Sequence, residues 1–239
     1  SYMERIQAQV ADLKLGGGSR TVVQTMCNTH TSDVDASVAQ CIRLAKAGAQ
    51  MIRLTVPSLA QVESLREIKS RLRTEGIETP LVADVHFSSK ERFAELVKVC
   101  KEKGTAIRIG LNHGSLGDRI TNLYGNTPLA MKEAVMEWLQ MCVDNEFYNV
   151  VVSLKASNTI VMVEAYRLLS KAMEEMGVVF PLHLGVTEAG NGDAGRIKSA
   201  VGISALLSEG IGDTIRVSLT EDPECELPVA QYLADRYDR

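Results

Sequence analysis

Residues 149–156 read Asn-Val-Val-Val-Ser-Leu-Lys-Ala, a short apolar run that predicts a β-strand covered on both faces. Asn158 follows as a helix-capping residue, and apolar side chains recur at helical spacing over residues 161–176. Gly177 then ends the predicted helix, and Pro181 precedes the next apolar run. A strand, a helix and a second strand in this order predict a βαβ unit with parallel strands.

The same alternation of apolar strands and amphipathic helices runs through most of the chain. Repeated βα units predict an α/β protein with a TIM-type (β/α)8 barrel, and 239 residues is the length of one such barrel. Eight strands close a barrel of this type, whereas seven are predicted here, so either the barrel is unusual or the sequence joins segments that are not consecutive in the complete polypeptide. The predicted strands cover residues 21–26, 51–56, 81–86, 106–112, 149–156, 182–187 and 213–219.

The first twenty residues are predicted to form a hairpin that leads into the barrel. Its turn is placed at Gly16-Gly17-Gly18. This glycine run precedes a strand rather than a helix, so it lacks the arrangement of a nucleotide-binding loop. The barrel is expected to occupy residues 21–239 as one domain.

Composition narrows the possible functions. A net charge of −4, without basic runs interleaved with aromatic residues, disfavours a nucleic-acid-binding surface. No apolar stretch approaches the ~20 residues of a membrane span, and the first residues do not resemble a secretion signal, so we expect a cytoplasmic protein that does not bind membranes. The five cysteines stand singly, which gives neither a zinc motif nor a complete iron–sulfur ligand set, and we assign no metal ligands.

Four predicted strands each carry one cation at a similar depth within an apolar run. Because alternate residues of a strand face the same side, Asn112 shares a face with one of these cations and Ser218 with another. Both cations therefore have polar neighbours near the carboxyl ends of their strands, where active sites form in this architecture. The four cations are Arg53, Arg108, Lys155 and Arg216.

Two interpretations of these cations remain open. If they converge inside the barrel, burying unpaired positive charge costs several kcal/mol per ion, so an anion such as a diphosphate would stabilise them. Alternatively, they pair with carboxylates such as Asp84 and Glu188 and only brace the barrel, as in a non-enzymatic assembly module. The number of cations and their polar neighbours favour the anion site.

Three further side chains are candidates for proton transfer. Asp84 and His86 lie on the same face of one predicted strand, although such a pair is also common as a structural contact. Glu188 ends an apolar strand before a glycine-rich loop and is the stronger candidate. His183 lies early in its strand, and we interpret it as structural.

Several of these segments together resemble one family. They resemble, in order, the barrel of the 4-hydroxy-3-methylbut-2-enyl diphosphate synthase family from about Val22 to Pro223, and residues 112–115 resemble its longer form, found in plants and some bacteria. The segments are Val-Ala-Asp-Val-His-Phe (82–87), Arg-Ile-Gly-Leu-Asn-His-Gly-Ser-Leu (108–116), Lys-Ala-Ser (155–157), Leu-His-Leu-Gly-Val-Thr-Glu-Ala-Gly (182–190) and Gly-Asp-Thr-Ile-Arg-Val-Ser-Leu-Thr (212–220).

The resemblance implies an oxidoreductase of the non-mevalonate isoprenoid pathway that reductively opens 2-C-methyl-D-erythritol 2,4-cyclodiphosphate. It also implies a 4Fe-4S cluster whose ligands are not in this chain, flavodoxin or ferredoxin as electron donor, and a homodimer of the full-length enzyme. By position in the matching motifs, the diphosphate would be bound by Arg53, Arg108, Asn112, Lys155, Arg216 and Ser218, the pocket lined by Asp84 and His86, and a proton handled by Glu188.

Two departures from the family pattern affect these expectations. The family's fourth strand, normally Arg-Ile-Asn-Pro-Gly-Asn after the Asp-x-His strand, is missing, which accounts for the seven predicted strands. We therefore expect a break close to Phe87–Glu91, and a continuous, well-packed seven-stranded sheet there would refute it. The cluster domain is expected to be absent as well, so the chain would bind substrate without turning it over. A pterin-binding-type barrel transferase, such as a relative of dihydropteroate synthase, is the alternative function.

Overall fold

The computed structural model describes residues 8–10, 13–15, 21–85, 90–112, 118–125, 127–156, 158–185, 192–217 and 222–236. Within them, parallel strands form a closed barrel surrounded by helices. None of the helices in these ranges is long and apolar enough to cross a bilayer.

The bounds of the elements follow the predicted alternation closely. The strands are β1 (Ala8–Val10), β2 (Leu13–Leu15), β3 (Val22–Met26), β4 (Met51–Val56), β5 (Leu81–Val85), β6 (Ile107–Asn112), β7 (Val150–Lys155), β8 (Leu182–Gly185) and β9 (Thr214–Arg216). The helices are α1 (Val34–Lys46), α2 (Leu59–Thr74), α3 (Lys90–Lys103), α4 (Asp118–Tyr124), α5 (Pro128–Asp144), α6 (Thr159–Met176), α7 (Gly192–Ser208) and α8 (Pro223–Arg236).

The N-terminal hairpin is present, but its turn is not where the sequence predicted it. β1 pairs antiparallel with β2, and Val10 lies opposite Leu13, so residues 11 and 12 connect the two strands. The prediction that the glycine run at 16–18 forms this turn is therefore wrong. The glycines follow β2 and lie outside the described residues.

Seven strands close the barrel in chain order, from β3 to β9. β9 pairs with β3 through Val22 and Thr214, which completes the ring. β5 pairs directly with β6, with Ala83 opposite Ile107, so the described sheet is continuous beside residues 87–91. A continuous sheet is the result that would refute a break in the chain there, but residues 86–89 lie outside the described residues, so the break remains a prediction.

Asn158 and Gly177 cap α6 as the sequence predicts, and Asp33 caps α1. The side chain of Asp33 accepts a hydrogen bond from the Ala36 amide at the start of α1, and Asn158 accepts one from the Val161 amide at the start of α6. Gly177 ends α6 with a φ of 87°, a left-handed conformation that favours glycine. The two N-caps start helices that follow strands at the carboxyl-terminal end of the barrel, and Gly177 ends α6 at the opposite end, before β8.

The outer face of the barrel sheet packs against the helices, and its inner face lines the barrel interior. Outward-facing residues such as Ile52, Leu54 and Val152 are buried against the surrounding helices. A distinct apolar cluster fills the interior near the amino-terminal ends of the strands, and it consists of Val22, Met51, Val82, Ala106 and Val151. Because this layer closes the lower end of the barrel, a ligand can reach the interior only from the carboxyl-terminal mouth.

Candidate anion-binding site

The strand register places the cations inside the barrel above the apolar layer. Thr55 lies beside Asp84, Asp84 beside Arg108, and Gly185 beside Arg216, and residues paired in this way face the same side of a parallel sheet. Arg53 precedes Thr55 by two residues and so shares its face, and Lys155 shares a face with Asn112 on the neighbouring strand. The predicted convergence of Arg53, Arg108, Lys155 and Arg216 is therefore present.

Asp84 links two of these cations at the centre of the barrel. Arg108 Nη1 donates a hydrogen bond to Asp84 Oδ1 at 2.7 Å, and Arg53 Nε lies 3.4 Å from Asp84 Oδ2. All three side chains are essentially buried, with exposed fractions of 0–2%. One carboxylate thus contacts two guanidinium groups in a region shielded from water.

Three buried nitrogens of these arginines lack a hydrogen-bond acceptor within the described part of the chain. They are Arg53 Nη1, Arg108 Nε and Arg53 Nε, of which the last has only the ion pair with Asp84 at 3.4 Å. Buried N–H groups normally find a partner, and a guanidinium without enough acceptors is a suitable binding site for phosphate oxygens. Burial, followed by the nearby charge of Arg108, lowers the pKa of Arg53, which reflects the same shortage of negative charge.

Gly110 provides the space that the Arg108 guanidinium occupies. The two residues share a face of β6, and a Cβ atom at position 110 would lie 2.6 Å from Arg108 Nη1 and 3.2 Å from Cζ. The Arg108 side chain therefore folds over Gly110 toward the barrel mouth. Any larger residue would displace the guanidinium that bonds Asp84.

Arg216 is anchored by a carboxylate that the sequence analysis did not identify. Arg216 Nε lies 3.2 Å from Glu226 Oε1, and Glu226 lies in the first turn of α8 with 3% of its side chain exposed. Arg216 Nη1 lies 3.8 Å from Met26 Sδ, and Met26 Sδ also accepts a hydrogen bond from Arg53 Nη2 at 3.0 Å. The Met26 thioether thus lies between two arginines from opposite neighbours of β3.

Lys155 differs from the other cations because no carboxylate of the described residues forms an ion pair with it. Burial, followed by the charges of Arg108 and Arg53, lowers the pKa of Lys155 to about 7. An anion that entered the mouth would stabilise the protonated amine. Lys155 is therefore the cation that responds most to a ligand.

The described ion pairs bear on both interpretations of the four cations. Asp84 contacts Arg53 and Arg108, and Glu226 contacts Arg216, so pairing with carboxylates accounts for part of the arrangement. Counted over the described side chains, however, four cations meet two carboxylates at this end of the barrel. The remaining positive charge favours an anion site over a purely structural brace.

A cavity of about 410 Å³ opens beside Arg216 at the mouth. The loop after β3 forms one wall of it, and Thr31 ties this loop to β4 by donating a hydrogen bond to the Thr55 carbonyl. The lining residues are Met26, Cys27, Asn28, Thr29, His30, Thr55, Arg216, Pro223 and Glu226. The cavity brings polar groups from the loop and from α8 to the cationic end of the barrel.

His183 lies inside the barrel but has structural partners. Its Nδ1 contacts Thr214 Oγ1, and Thr214 donates a hydrogen bond to Gln24 Oε1 at 3.2 Å. Burial, followed by the charge of Arg108, lowers the pKa of His183, so the ring is neutral at physiological pH. These contacts agree with its interpretation as a structural residue.

Several predicted site residues lie outside what the structure describes. His86, Glu188 and Ser218 are among the undescribed residues, and for Asn112 the strand is described but the side chain is not. Their assigned roles therefore remain predictions. Met26, Gly110 and Glu226 were not singled out from the sequence, because a thioether, a glycine and a helical glutamate carry no motif of their own.

The described cysteines do not suit an iron–sulfur cluster. Cys27, Cys41, Cys100 and Cys142 are buried, whereas Cys225 is exposed on α8. In the described ranges, no group of three or more His, Cys, Asp or Glu side chains is arranged to hold a metal ion. A 4Fe-4S cluster needs four such ligands, usually cysteine thiolates.

The sequence matches one protein family over most of its length. The family described as the GcpE TIM-barrel domain matches residues 5–92 and 87–231, two segments that meet at 87–92.

Two named relatives also support this family assignment. The 4-hydroxy-3-methylbut-2-en-1-yl diphosphate synthase (flavodoxin) of Bacteroides fragilis strain YCH46 is 45% identical over 279 residues, covering 98% of this chain and 45% of the relative. The corresponding synthase (ferredoxin) of Synechococcus sp. strain CC9311 is 43% identical over 265 residues, covering 92% of this chain and 67% of the relative. The chain spans less than half the length of the Bacteroides relative.

Solved structures show a more distant likeness. The crystal structure of Burkholderia cenocepacia dihydropteroate synthase superimposes with a TM-score of 0.60 at 14% identity and covers 98% of both chains. At this identity the likeness concerns the barrel fold alone.

The space above Gly110 can be tested by substitution. Gly110→Ala should lower the affinity for inorganic diphosphate about tenfold or more, because the new Cβ displaces the guanidinium that would bind it, and overpacking should destabilise the fold by about 1–3 kcal/mol. Calorimetric titration and urea unfolding measure the two effects. In an Arg108→Ala background the substitution should have no further effect on affinity, and a full additional loss there would contradict this explanation.

The lowered pKa of Lys155 predicts a pH dependence of anion binding. The amine is charged below pH 7 and loses its charge above it, so the affinity for sulfate, which does not titrate in this range, should fall as the pH rises from 6 to 9. Binding should also be accompanied by proton uptake near pH 7, which calorimetry in buffers of different ionisation enthalpy detects. Lys155→Arg keeps its charge throughout and should flatten the profile. An unchanged slope in that variant would assign the titration to another group.

Proposed function

From the observation that the chain belongs to the GcpE TIM-barrel family, we propose that this barrel is the substrate-binding domain of a 4-hydroxy-3-methylbut-2-en-1-yl diphosphate synthase. The substrate would be 2-C-methyl-D-erythritol 2,4-cyclodiphosphate, and the reaction its reductive ring opening in the non-mevalonate pathway of isoprenoid biosynthesis. The relatives' names support flavodoxin or ferredoxin as the electron donor of the whole protein.

The observation that carries this proposal is the excess of cations at the mouth, two of them buried and two partly buried. Four cations from four strands meet two carboxylates among the described side chains, and three guanidinium nitrogens there have no hydrogen-bond acceptor. A cyclic diphosphate carries two negative charges and several acceptor oxygens on adjacent phosphorus atoms. It would supply the missing charge and the missing acceptors together.

Each cation has a distinct part in the proposed site. Arg53 and Arg108 would bind phosphate oxygens from the centre of the barrel, while Asp84 holds their side chains in place. Lys155 and Arg216 would bind from the rim, and Asn112 and Ser218 would add hydrogen bonds by their position on the same strands. Because Asp84 contacts two guanidinium groups, it is stabilised in its charged form, which suits positioning better than proton donation.

Proton handling is proposed for residues beyond the described ranges. Glu188 comes three residues after the end of β8 in the sequence, and its carboxyl group could protonate the departing hydroxyl so that it leaves as water. His86 follows β5 directly after Val85 and would line the same pocket. In the family the electrons come from a 4Fe-4S cluster, and the described cysteines do not form its ligand set, so the proposal for the described residues is restricted to substrate binding.

Removal of single arginines tests the proposed substrate. In calorimetric titration with the cyclodiphosphate, Arg108→Ala or Arg216→Ala should each weaken binding by about 1.5–3 kcal/mol, the contribution of a charge-assisted hydrogen bond. Arg71→Ala serves as the control, because Arg71 pairs with Asp35 on the exposed outer surface. Unchanged affinity in both mouth variants would rule out this anion site. Stronger binding of a pterin diphosphate than of the cyclodiphosphate would favour the transferase alternative.

The seven-stranded barrel supports a second proposal, that relatives carry one further βα unit between β5 and β6. The family match divides into two segments at residues 87–92, and the alignment with the Bacteroides relative runs over 279 residues although this chain has 239. The direct pairing of β5 with β6 argues for a closed barrel without that unit. The proposal is therefore that this chain lacks a βα unit that its relatives have, and that β5 and β6 pair directly where that unit would lie.

A chimera tests this second proposal. Insertion of the relative's corresponding segment of about 40 residues near residue 89 should raise the free energy of unfolding, since eight strands give the usual packing of this barrel. A Gly-Ser linker of equal length inserted at the same place is the control. If the chimera unfolds at a lower urea concentration than the linker variant, the segment does not belong there.

A further inference from the structure

Glu226 is a buried carboxylate at the rim of a site that attracts anions, which is an unfavourable place for a negative charge. Its side chain is 3% exposed, and it lines the 410 Å³ cavity together with Arg216. A carboxylate there opposes the entry of a phosphate by simple repulsion. Its presence requires a contribution that outweighs this cost.

The contact between Glu226 and Arg216 suggests how the carboxylate contributes to anion binding. Glu226 Oε1 bonds the inner nitrogen, Nε, at 3.2 Å and so occupies one edge of the guanidinium. The only other polar contact of Arg216 within the described residues is that of Nη1 with the weak acceptor Met26 Sδ at 3.8 Å. The terminal nitrogens thus keep most of their donor capacity for a ligand, whereas Arg108 uses Nη1 for Asp84.

The backbone makes this contact rigid. Glu226 lies in the first turn of α8, where a negative charge interacts favourably with the helix dipole, and α8 packs against β3 and β9. The helix therefore fixes the carboxylate relative to the strand that carries Arg216. Fixing a long side chain before the ligand arrives lowers the entropy lost on binding.

We propose that Glu226 is a positioning residue that holds the Arg216 guanidinium with its terminal N–H groups toward the barrel mouth, ready to bind a phosphate group of the substrate. This inference rests on the proposed function, since it assigns Arg216 to the phosphate. The carboxylate acts through Arg216 and does not contact the ligand.

A positioning role predicts that loss of Glu226 weakens diphosphate binding, whereas loss of its negative charge alone would strengthen it. Glu226→Ala removes a negative charge and, by electrostatics, should tighten the binding of inorganic diphosphate. If positioning dominates, the same variant should bind about tenfold more weakly, because a charge-assisted bond to an ordered arginine is lost. Glu226→Gln keeps an oxygen acceptor for Nε and should restore most of the affinity.

Two controls separate positioning from simple anchoring of the helix. Glu224→Ala removes the other ion pair of the same turn, with Arg43 at 3.6 Å on the exposed side, and should leave diphosphate affinity unchanged. In an Arg216→Ala background, Glu226→Ala should produce no further loss. If the single alanine variant does not fold, Glu226→Asp, with its carboxylate one methylene shorter, replaces it.

The outcomes distinguish this inference from the proposed function. Weaker binding in Glu226→Ala, restored in Glu226→Gln and absent in the Arg216→Ala background, supports the positioning role. Equal or tighter binding in Glu226→Ala overturns it. If Arg216→Ala itself leaves diphosphate affinity unchanged, the anion site assigned to this arginine is wrong, and the role of Glu226 is wrong with it.

Discussion

The ion pairs of Asp84 with Arg53 and Arg108 decide the character of the barrel interior. Three charged side chains lie at the centre of a sheet whose outer face is largely apolar, and each has less than 3% of its surface exposed. Such groups lose their hydration, and only good pairing offsets that loss. Because one carboxylate serves two guanidinium groups, the pairing is incomplete, and the centre of the barrel keeps an excess of positive charge among the described side chains.

The site is ordered before any ligand arrives. Gly110 leaves room for the Arg108 guanidinium, the Met26 sulfur lies between Arg53 and Arg216, and the apolar layer around Met51 and Val82 supports them from below. None of these neighbours competes strongly for the arginine N–H groups. The surroundings thus restrict the cations while leaving donors available, which is the arrangement that makes anion binding tight.

Part of this arrangement could be predicted from the sequence. The strands follow from short apolar runs that are covered on both faces. The four cations follow from them, since a charge within such a run must face either the core or the barrel interior. The pairing of Asp84 with two arginines could not be predicted, because it depends on the register between β4, β5 and β6. Glu226 escaped notice because it lies on a helix, where a single acidic residue usually faces solvent. The hairpin turn was misplaced because glycines suggested it, whereas two residues, 11 and 12, connect β1 and β2.

The number of strands and the central ion pairs are linked. Asp84 lies on β5, between the strands of Arg53 and Arg108. Arg108 is its direct partner across the sheet, about 4.8 Å away, whereas Arg53 lies two residues before Thr55, the direct partner of Asp84 on β4, and reaches the carboxylate diagonally. A further strand between β5 and β6 would double the distance from Asp84 to Arg108 and, by the family pattern, bring another arginine into the interior. Asp84 would then face a different set of cations, and the excess of positive charge would grow. A barrel closed by seven strands therefore holds a more compact and more nearly neutral version of the site, in which Arg108 is bound to Asp84 at 2.7 Å.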